Sequence, residues 1–155
     1  MRIGILRHAS AEDHAPTGAD YDRRLTREGE LELAHQLDLI QSFGWIPSII
    51  LYSPLVRTTQ TARAVAARLP GVPMEATDVI PLGLFDEILQ ACEPHRAPLI
   101  VGHEPTLGRL IARLLHAPPS ATPFEKAGFA LLEVDRIPAF RPARMVLFLP
   151  PRQMR

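Results

Sequence analysis

Three short stretches of the chain place arginine or histidine directly after an apolar run. The first is Arg7-His8, which ends the run Ile3 to Leu6. The second starts at Ser53-Pro54 and carries Arg57, and the third is Gly102-His103-Glu104-Pro105. The second and third share a proline suited to the first turn of a helix, with Ser53 and Glu104 as the predicted N-caps. Each stretch therefore has the composition of a loop at the end of a buried strand.

Together the stretches bring two arginines and two histidines, whose positive charges repel one another unless an anion lies between them. A phosphoryl group fits, because the guanidinium groups of Arg7 and Arg57 bind its oxygens in pairs. Phosphoryl transfer needs mainly positioning and charge neutralisation, and the arginines supply the charge without a metal ion. One histidine, His8 or His103, is then a candidate nucleophile, and the other, when protonated, donates a hydrogen bond to the transition state.

The elements that must position these residues follow from the hydrophobic pattern. Five apolar runs predict strands: Arg2–Leu6, Ser48–Tyr52, Leu99–Val101, Ala130–Val134 and Met145–Leu149. Four intervening segments predict helices: about Arg27 to Phe43, Pro54 to about Leu69, Leu84 to Cys92, and Pro105 to about His116. Strands apolar throughout and alternating with helices predict an α/β fold with three layers, α/β/α, and a mostly parallel sheet. Ligands bind beyond the carboxyl ends of such strands, so the three stretches share one edge.

The pattern also predicts finer details of the fold. Thr26 is the expected N-cap of the first helix, and Gly44 is its expected end. Its predicted apolar face leaves Gln36 outside and is formed by Leu31, Ala34, Leu37, Leu39 and Ile40. No helix separates the last two strands, so one of them is expected to be antiparallel or at an edge.

Length and composition limit the class of protein. The chain has 155 residues, of which 46% are hydrophobic, which fits a single domain over residues 1–155. Seventeen basic and seventeen acidic residues give a net charge of zero, which argues against a general nucleic-acid binder. The single cysteine, Cys92, excludes an internal disulfide framework and a cysteine zinc cluster. No apolar segment has the length of a membrane helix or a secretory leader, so we expect a cytoplasmic protein, and we expect no role for the terminal segment 150–155.

With these residues in place, the sequence resembles the histidine phosphatase superfamily, which has the phosphoglycerate mutase-like fold. The resemblance is carried by the three stretches, by Gln60-Thr61-Ala62, and by Leu25-Thr26 with Gly29. Length and the Gly-His-Glu-Pro form are similar to those of SixA-type phosphohistidine phosphatases. The resemblance implies that His8 is the phosphorylated nucleophile and His103 the second histidine. It also implies that Arg7 and Arg57 bind the phosphoryl oxygens, with Ser53 beside the substrate and no cofactor.

The sequence departs from the family pattern in two places. Ala9 stands where the family motif usually has glycine, and a methyl group is unfavourable there if the backbone needs a positive φ. Larger relatives carry a glutamate general acid, often in an inserted cap, whereas the stretch from Val72 to Pro98 leaves no room for a sizeable cap. Four carboxylates lie in comparable parts of the chain, but none has a matching context: Glu12, Asp13, Asp86 and Glu87.

The missing acid favours a particular substrate. An alkoxide leaving group needs a proton, whereas imidazole, whose conjugate acid has a pKa of about 6.5, leaves protonated near neutral pH. An uncapped site also admits a histidine on the surface of another protein. The leading hypothesis is therefore hydrolysis of phosphohistidine on a signalling or phosphotransfer protein. The resemblance implies that such a partner is a histidine phosphotransfer domain or a phosphocarrier. The alternatives are a small-molecule phosphomonoesterase of the same fold, which needs a working acid, and a non-catalytic module that binds phosphorylated partners, which predicts binding without turnover.

Overall fold

Within residues 1–151, which the computed structural model describes, six strands form one mixed sheet in the order β3-β2-β4-β1-β5-β6. The strands are β1 (Arg2–Arg7), β2 (Ile49–Tyr52), β3 (Met74–Ala76), β4 (Pro98–Gly102), β5 (Phe129–Glu133) and β6 (Arg144–Leu149). Strands β1 to β4 are parallel, and β5 runs antiparallel to both β1 and β6. The predicted mostly parallel sheet is confirmed, with β5 antiparallel and β6 at an edge. The final residues of the 150–155 segment, 152–155, lie outside the described part.

Four helices of the described chain cover the two faces of this sheet: α1 (Arg27–Ser42), α2 (Val56–Arg68), α3 (Phe85–Cys92) and α4 (Thr106–Leu115). Ile5 of β1 packs in the apolar cluster that includes α3 and α4, and Leu6 packs in the cluster that includes α1 and α2. Successive residues of a strand point to opposite faces, so β1 is covered on both sides. The three-layer α/β/α architecture is confirmed, and no helix among these residues is long and apolar enough to cross a bilayer.

The predicted apolar face of α1 was partly wrong. Leu31 and Leu39 are 46% and 40% exposed, whereas Leu33 is buried together with Leu37 and Ile40. These three follow the i, i+4, i+7 spacing of a helix stripe. The polar Gln36 also lies inside, because its Nε2 donates to the carbonyl of Leu149 in β6 at 2.8 Å. The buried face of α1 therefore combines an apolar stripe with one glutamine that is hydrogen-bonded to the edge strand.

The strand β3 was missed, because its three residues are half-buried or exposed and carry no apolar run. The predicted starts of three helices were also early, since α2 begins at Val56, α3 at Phe85 and α4 at Thr106. Ser53 does not cap α2, whose N-cap is Leu55. Glu104 lies one residue before the N-cap of α4, yet its Oε1 accepts the N–H of Gly108 at 2.6 Å and so satisfies the first turn as expected.

The N-terminus of α1 holds the loop that follows β1. Thr26 is its N-cap, as predicted, and its Oγ1 accepts the N–H of Gly29 at 3.0 Å. The N–H of Thr26 donates to the carbonyl of Ser10 at 3.0 Å. Gly29 approaches the same carbonyl so closely that a Cβ there would lie 2.0 Å from the Ser10 oxygen. The helix therefore contacts the backbone two residues after His8.

We expect the substitution Gly29→Ala to destabilise the protein by about 1–3 kcal/mol, the usual cost of forcing an atom into a packed contact. Helix propensity alone predicts the opposite sign, a gain of about 1 kcal/mol for alanine. Urea unfolding measures the difference, with Glu28→Ala in the exposed first turn as a control expected to stay within about 0.5 kcal/mol of wild type. A Gly29→Ala variant as stable as wild type would contradict the close approach.

Candidate functional site

Strand pairing brings the three predicted stretches to one edge of the sheet. Arg7 at the end of β1 lies in register with Gly102 of β4, and the N–H of His8 donates to the Gly102 carbonyl at 3.0 Å. On the other side of β4, the N–H of Ser53 donates to the carbonyl of Val101 at 3.0 Å. The pairing thus continues past the ends of β1 and β2, and it brings the end of β1, the loop before α2 and the loop after β4 to one edge of the sheet.

His8 is held in one orientation and one protonation state. Its side chain is buried, and its Nδ1 lies 2.7 Å from the carbonyl oxygen of Ala9. A carbonyl only accepts, so Nδ1 carries the hydrogen and Nε2 keeps its lone pair. Burial lowers the pKa of His8 to about 3, with the charges of Arg57, Arg7 and His103 acting in the same direction. The imidazole is therefore neutral near neutral pH, with Nε2 available as a nucleophile.

Ala9 does not strain the backbone. Among the described residues other than glycine, positive φ angles occur at His116 and Ala127, and not at Ala9. The side chain of Ala9 is fully buried, and its carbonyl is the acceptor for His8. The replacement of the family's glycine by alanine is therefore compatible with the loop geometry.

Arg7 and Arg57 are each anchored through their terminal nitrogens. Arg7 Nη1 donates to the carbonyl of Phe124 at 2.8 Å. Arg57 Nη1 donates to the carbonyl of Asp20 at 3.0 Å, and its Nη2 lies 3.2 Å from Asp20 Oδ2. In both arginines Nε is buried and has no partner within residues 1–151. Because a buried N–H without an acceptor is unfavourable, each guanidinium keeps a hydrogen-bonding capacity that its backbone anchor does not meet.

His103 lies beside Ser53 on the far side of β4. The Nε2 atom of His103 is 3.5 Å from Ser53 Oγ, and Ser53 is fully buried. Burial lowers the pKa of His103, and the positive charge of Arg57 lowers it further. The positive charges of Arg57 and Arg7 therefore act on His103, and without a bound anion its imidazole favours the neutral form.

The four candidate acids of the sequence are hydrogen-bonded to other groups or exposed to solvent. Glu12 Oε2 accepts the N–H of Arg24 at 3.3 Å, Asp86 forms an ion pair with Arg113, and Asp13 and Glu87 are exposed. Within the described chain, none is hydrogen-bonded to the two arginines or two histidines of the site.

The carboxylates whose charges reach the site are different ones. Glu104 and Glu125 act on Arg7, and Asp20 acts on His103 and binds Arg57. Sequence reasoning missed Asp20, which lies in a polar segment without periodicity, and the only signal was its position just before the Leu25-Thr26 segment. In the described part of the chain, no group of three or more His, Cys, Asp or Glu side chains is arranged to hold a metal ion.

Comparison with known proteins identifies a family model and two relatives that match this chain. The model of branch 1 of the histidine phosphatase superfamily matches residues 3–80. An uncharacterized protein of Picosynechococcus is 36% identical over 114 residues, which cover 70% of this chain and 69% of that protein. An uncharacterized chloroplastic protein of Arabidopsis thaliana is 36% identical over 75 residues, which cover 48% of this chain and only 34% of that longer protein.

Solved structures share the fold over nearly the whole chain. The proposed phosphohistidine phosphatase SixA of Agrobacterium tumefaciens superposes with a TM-score of 0.79 at 27% identity, covering 97% of both chains. The protein histidine phosphatase SixA complexed with tungstate gives a TM-score of 0.83 at 24% identity, again over 97% of both. An alpha-ribazole phosphatase from Shigella flexneri gives 0.74 at 16% identity, over 96% of both. The predicted phosphoglycerate mutase-like fold of the SixA type is thus confirmed.

The lowered pKa of His8 predicts a specific acid sensitivity. Its pKa is about 3 in the folded protein and 6.5 when unperturbed. Below pH 6.5 the unfolded chain therefore binds a proton that the folded chain does not, and stability falls as the pH falls. The variant His8→Asn retains a side-chain N–H donor. Between pH 6 and 4 we expect its free energy of unfolding to fall less steeply than that of wild type, by up to about 1.4 kcal/mol per pH unit.

Urea unfolding at a series of pH values measures this slope. His103 acts in the same direction, so His8→Asn is expected to retain part of the acid sensitivity. The matched control is His35→Asn, which removes an exposed histidine of α1. Parallel stability curves for wild type and His8→Asn would show that His8 is not held neutral by burial.

Proposed function

We propose that this chain, which belongs to the histidine phosphatase superfamily, hydrolyses phosphohistidine on a partner protein through a covalent intermediate on His8. Phosphatase activity itself follows from family membership and the SixA-type architecture. In the proposal, Arg7 and Arg57 hold the phosphoryl oxygens and His103 donates a hydrogen bond to them. Ser53 borders the substrate beside His103.

The observation that carries the proposal is the state of His8. An imidazole fixed through Nδ1 to the Ala9 carbonyl at 2.7 Å has one free nucleophilic atom, Nε2. Its low pKa keeps that atom unprotonated, so no general base is needed to activate it. The same positive charges that disfavour a protonated His8 favour the arrival of a phosphoryl group with two negative charges.

The two arginines complete the anion site. Each guanidinium is anchored at a terminal nitrogen by a backbone carbonyl and has a buried Nε–H without a partner among the described residues. Donors fixed before the ligand arrives cost no reorganisation during the reaction. A bound phosphoryl group also raises the pKa of His103, because its negative charge favours the protonated imidazole. His103 is then a hydrogen-bond donor when the substrate is present.

The proposed reaction has two transfers. In the first, the Nε2 lone pair of His8 bonds to phosphorus while the bond from phosphorus to the substrate imidazole breaks. The substrate imidazole, already protonated by solvent at its other ring nitrogen, leaves with that electron pair as neutral imidazole. In the second, water attacks phosphorus, the bond to Nε2 breaks, and His8 recovers its lone pair. Inorganic phosphate and the water's proton are released. Each step places charge on the oxygens that Arg7 and Arg57 bind.

The carboxylate positions support imidazole as the leaving group. Within the described chain, none of Glu12, Asp13, Asp86 and Glu87 is hydrogen-bonded to the site. Imidazole leaves protonated near neutral pH, whereas the alkoxide of a phosphomonoester requires an acid. Between β3 and β4 the chain forms only the eight-residue helix α3, which leaves the site open to a histidine on a protein such as a phosphotransfer domain or a phosphocarrier.

We expect the protein to release phosphate rapidly from a histidine-phosphorylated phosphotransfer domain and slowly from a serine-phosphate peptide. His8→Ala is expected to reduce the first rate by at least about a thousandfold, because the covalent route is lost. His35→Ala, which removes an exposed histidine, is the matched control. Phosphate release is measured for both substrates, and an acid-labile phosphoenzyme is trapped by rapid quenching.

Each alternative gives a different result in this experiment. Comparable release from the serine phosphate would favour the small-molecule phosphomonoesterase, and it would imply a working acid. Binding of the phosphorylated domain without turnover would favour the non-catalytic module. An acid-labile phosphoenzyme that still forms in His8→Ala would overturn the assignment of the nucleophile.

The proposal also predicts that hydrolysis does not require a metal ion, because two guanidinium groups supply the positive charge. We expect kcat and KM for the phosphorylated domain to be unchanged, within error, after dialysis against a chelator. A large loss of activity that Mg²⁺ or Zn²⁺ restores would show that arginine is not the sole source of charge at the phosphoryl group.

A further inference from the structure

The segment between β1 and α1 places a carboxylate on one of the phosphoryl-binding arginines. Asp20 begins a short 3-10 turn, Asp20–Asp22, and its Oδ2 lies 3.2 Å from Arg57 Nη2. Its other oxygen, Oδ1, accepts from Arg23 Nε at 2.9 Å. Arg23 in turn donates from Nη1 to the carbonyl of Glu12 at 2.9 Å. The carboxylate is thus held between one arginine of the site and one arginine of its own loop.

The ion pair between Asp20 and Arg57 is unequal in its exposure. The side chain of Arg57 is 7% exposed, whereas that of Asp20 is 67% exposed. Arg57 also has a second bond to the same residue, from Nη1 to the Asp20 carbonyl at 3.0 Å. The main chain therefore anchors Arg57 independently of charge. The exposed carboxylate contributes little to the stability of this contact. Its main effect is to neutralise part of the positive charge of Arg57.

The negative charge of Asp20 reaches more than one group of the site. It acts on His103 as well as on Arg57. Burial opposes ionisation of Asp20, but the charges and hydrogen bonds of Arg57 and Arg23 together lower its pKa. Asp20 is therefore an anion near neutral pH, and it is poorly suited to donate a proton to a leaving group.

We propose that Asp20 sets the affinity of the phosphoryl site, because its carboxylate competes with a bound phosphoryl or phosphate group for Arg57. This inference rests on the proposed function, since it requires that Arg57 bind the phosphoryl oxygens. An anion that enters the site must share Arg57 with Asp20 or displace the carboxylate towards solvent. After hydrolysis, the carboxylate returns to Arg57 and weakens the hold on inorganic phosphate.

The competition has a consequence for inhibition by the product. Free phosphate has only the arginines, the histidines and the local backbone to bind, whereas a phosphorylated protein has further contacts with the surface around the site. Asp20 weakens the binding of both ligands, but the further contacts keep the protein substrate bound. The carboxylate therefore raises the concentration of free phosphate that is needed to occupy the site.

Calorimetric titration with inorganic phosphate tests the role of Asp20 in wild type and in Asp20→Asn. Loss of one negative charge beside a partly exposed anion site is expected to tighten phosphate binding by about three- to tenfold at low ionic strength, and less at high salt. The matched control is Asp22→Asn, which makes the same change in net charge. Asp22 accepts a bond from Thr17 Oγ1 at 2.7 Å, and we expect its variant to bind phosphate within about twofold of wild type.

The sign of the change separates the possible roles. If the Asp20 side chain served mainly to position Arg57, Asp20→Asn would bind phosphate more weakly, and the proposal would be overturned. Equal affinity in wild type and Asp20→Asn would also overturn it, while leaving the phosphoryl site intact. If wild type itself did not bind phosphate, the anion site and the proposed function would fail first. Thermal unfolding of all three proteins verifies that each variant is folded.

Discussion

The site depends on placing two guanidinium groups, buried Arg57 and half-buried Arg7, beside two imidazoles at one edge of the sheet. Like charges removed from water are unfavourable unless they are bound by other groups. Here main-chain carbonyls provide part of this binding, because those of Phe124 and Asp20 accept hydrogen bonds from Arg7 and Arg57, respectively. Carbonyl oxygens neutralise less charge than carboxylates do, so the site keeps a positive potential. That potential makes the site selective for anions.

The backbone that holds these groups is fixed by strand pairing beyond the last residue of β1. His8 donates to Gly102 on one side, and its carbonyl accepts from Ala127 on the other, both at 3.0 Å. The first turn of α1 then packs on the carbonyl of Ser10, where only glycine fits at position 29. The loop is thus held by β4, by the segment before β5 and by α1. A rigid loop keeps the orientation of His8 independent of the ligand.

Much of this arrangement was predictable, because it is encoded locally. Apolar runs that end in Arg7-His8 or Gly102-His103 identify strand ends, and the edge they share follows from the parallel sheet. The features that the sequence did not predict depend on tertiary contacts. Gln36 is buried because it binds the carbonyl of Leu149, which is 113 residues away. Asp20 reaches Arg57 across 37 residues from a loop without periodicity, so the hydrophobic pattern does not indicate this contact.

The protonation state of His8 connects the architecture to the proposed chemistry. Burial and neighbouring cations disfavour the imidazolium, which keeps Nε2 of His8, the proposed nucleophile, unprotonated. In the proposed mechanism the same environment favours a phosphorylated His8, whose negative oxygens are bound by the arginines. An uncompensated site would therefore stabilise the proposed intermediate and retain the product. A catalyst gains only from interactions that are stronger in the transition state than in the states on either side of it. Carboxylates near the arginines, with Asp20 in direct contact with Arg57, limit the positive potential and so oppose over-stabilisation of the bound anion.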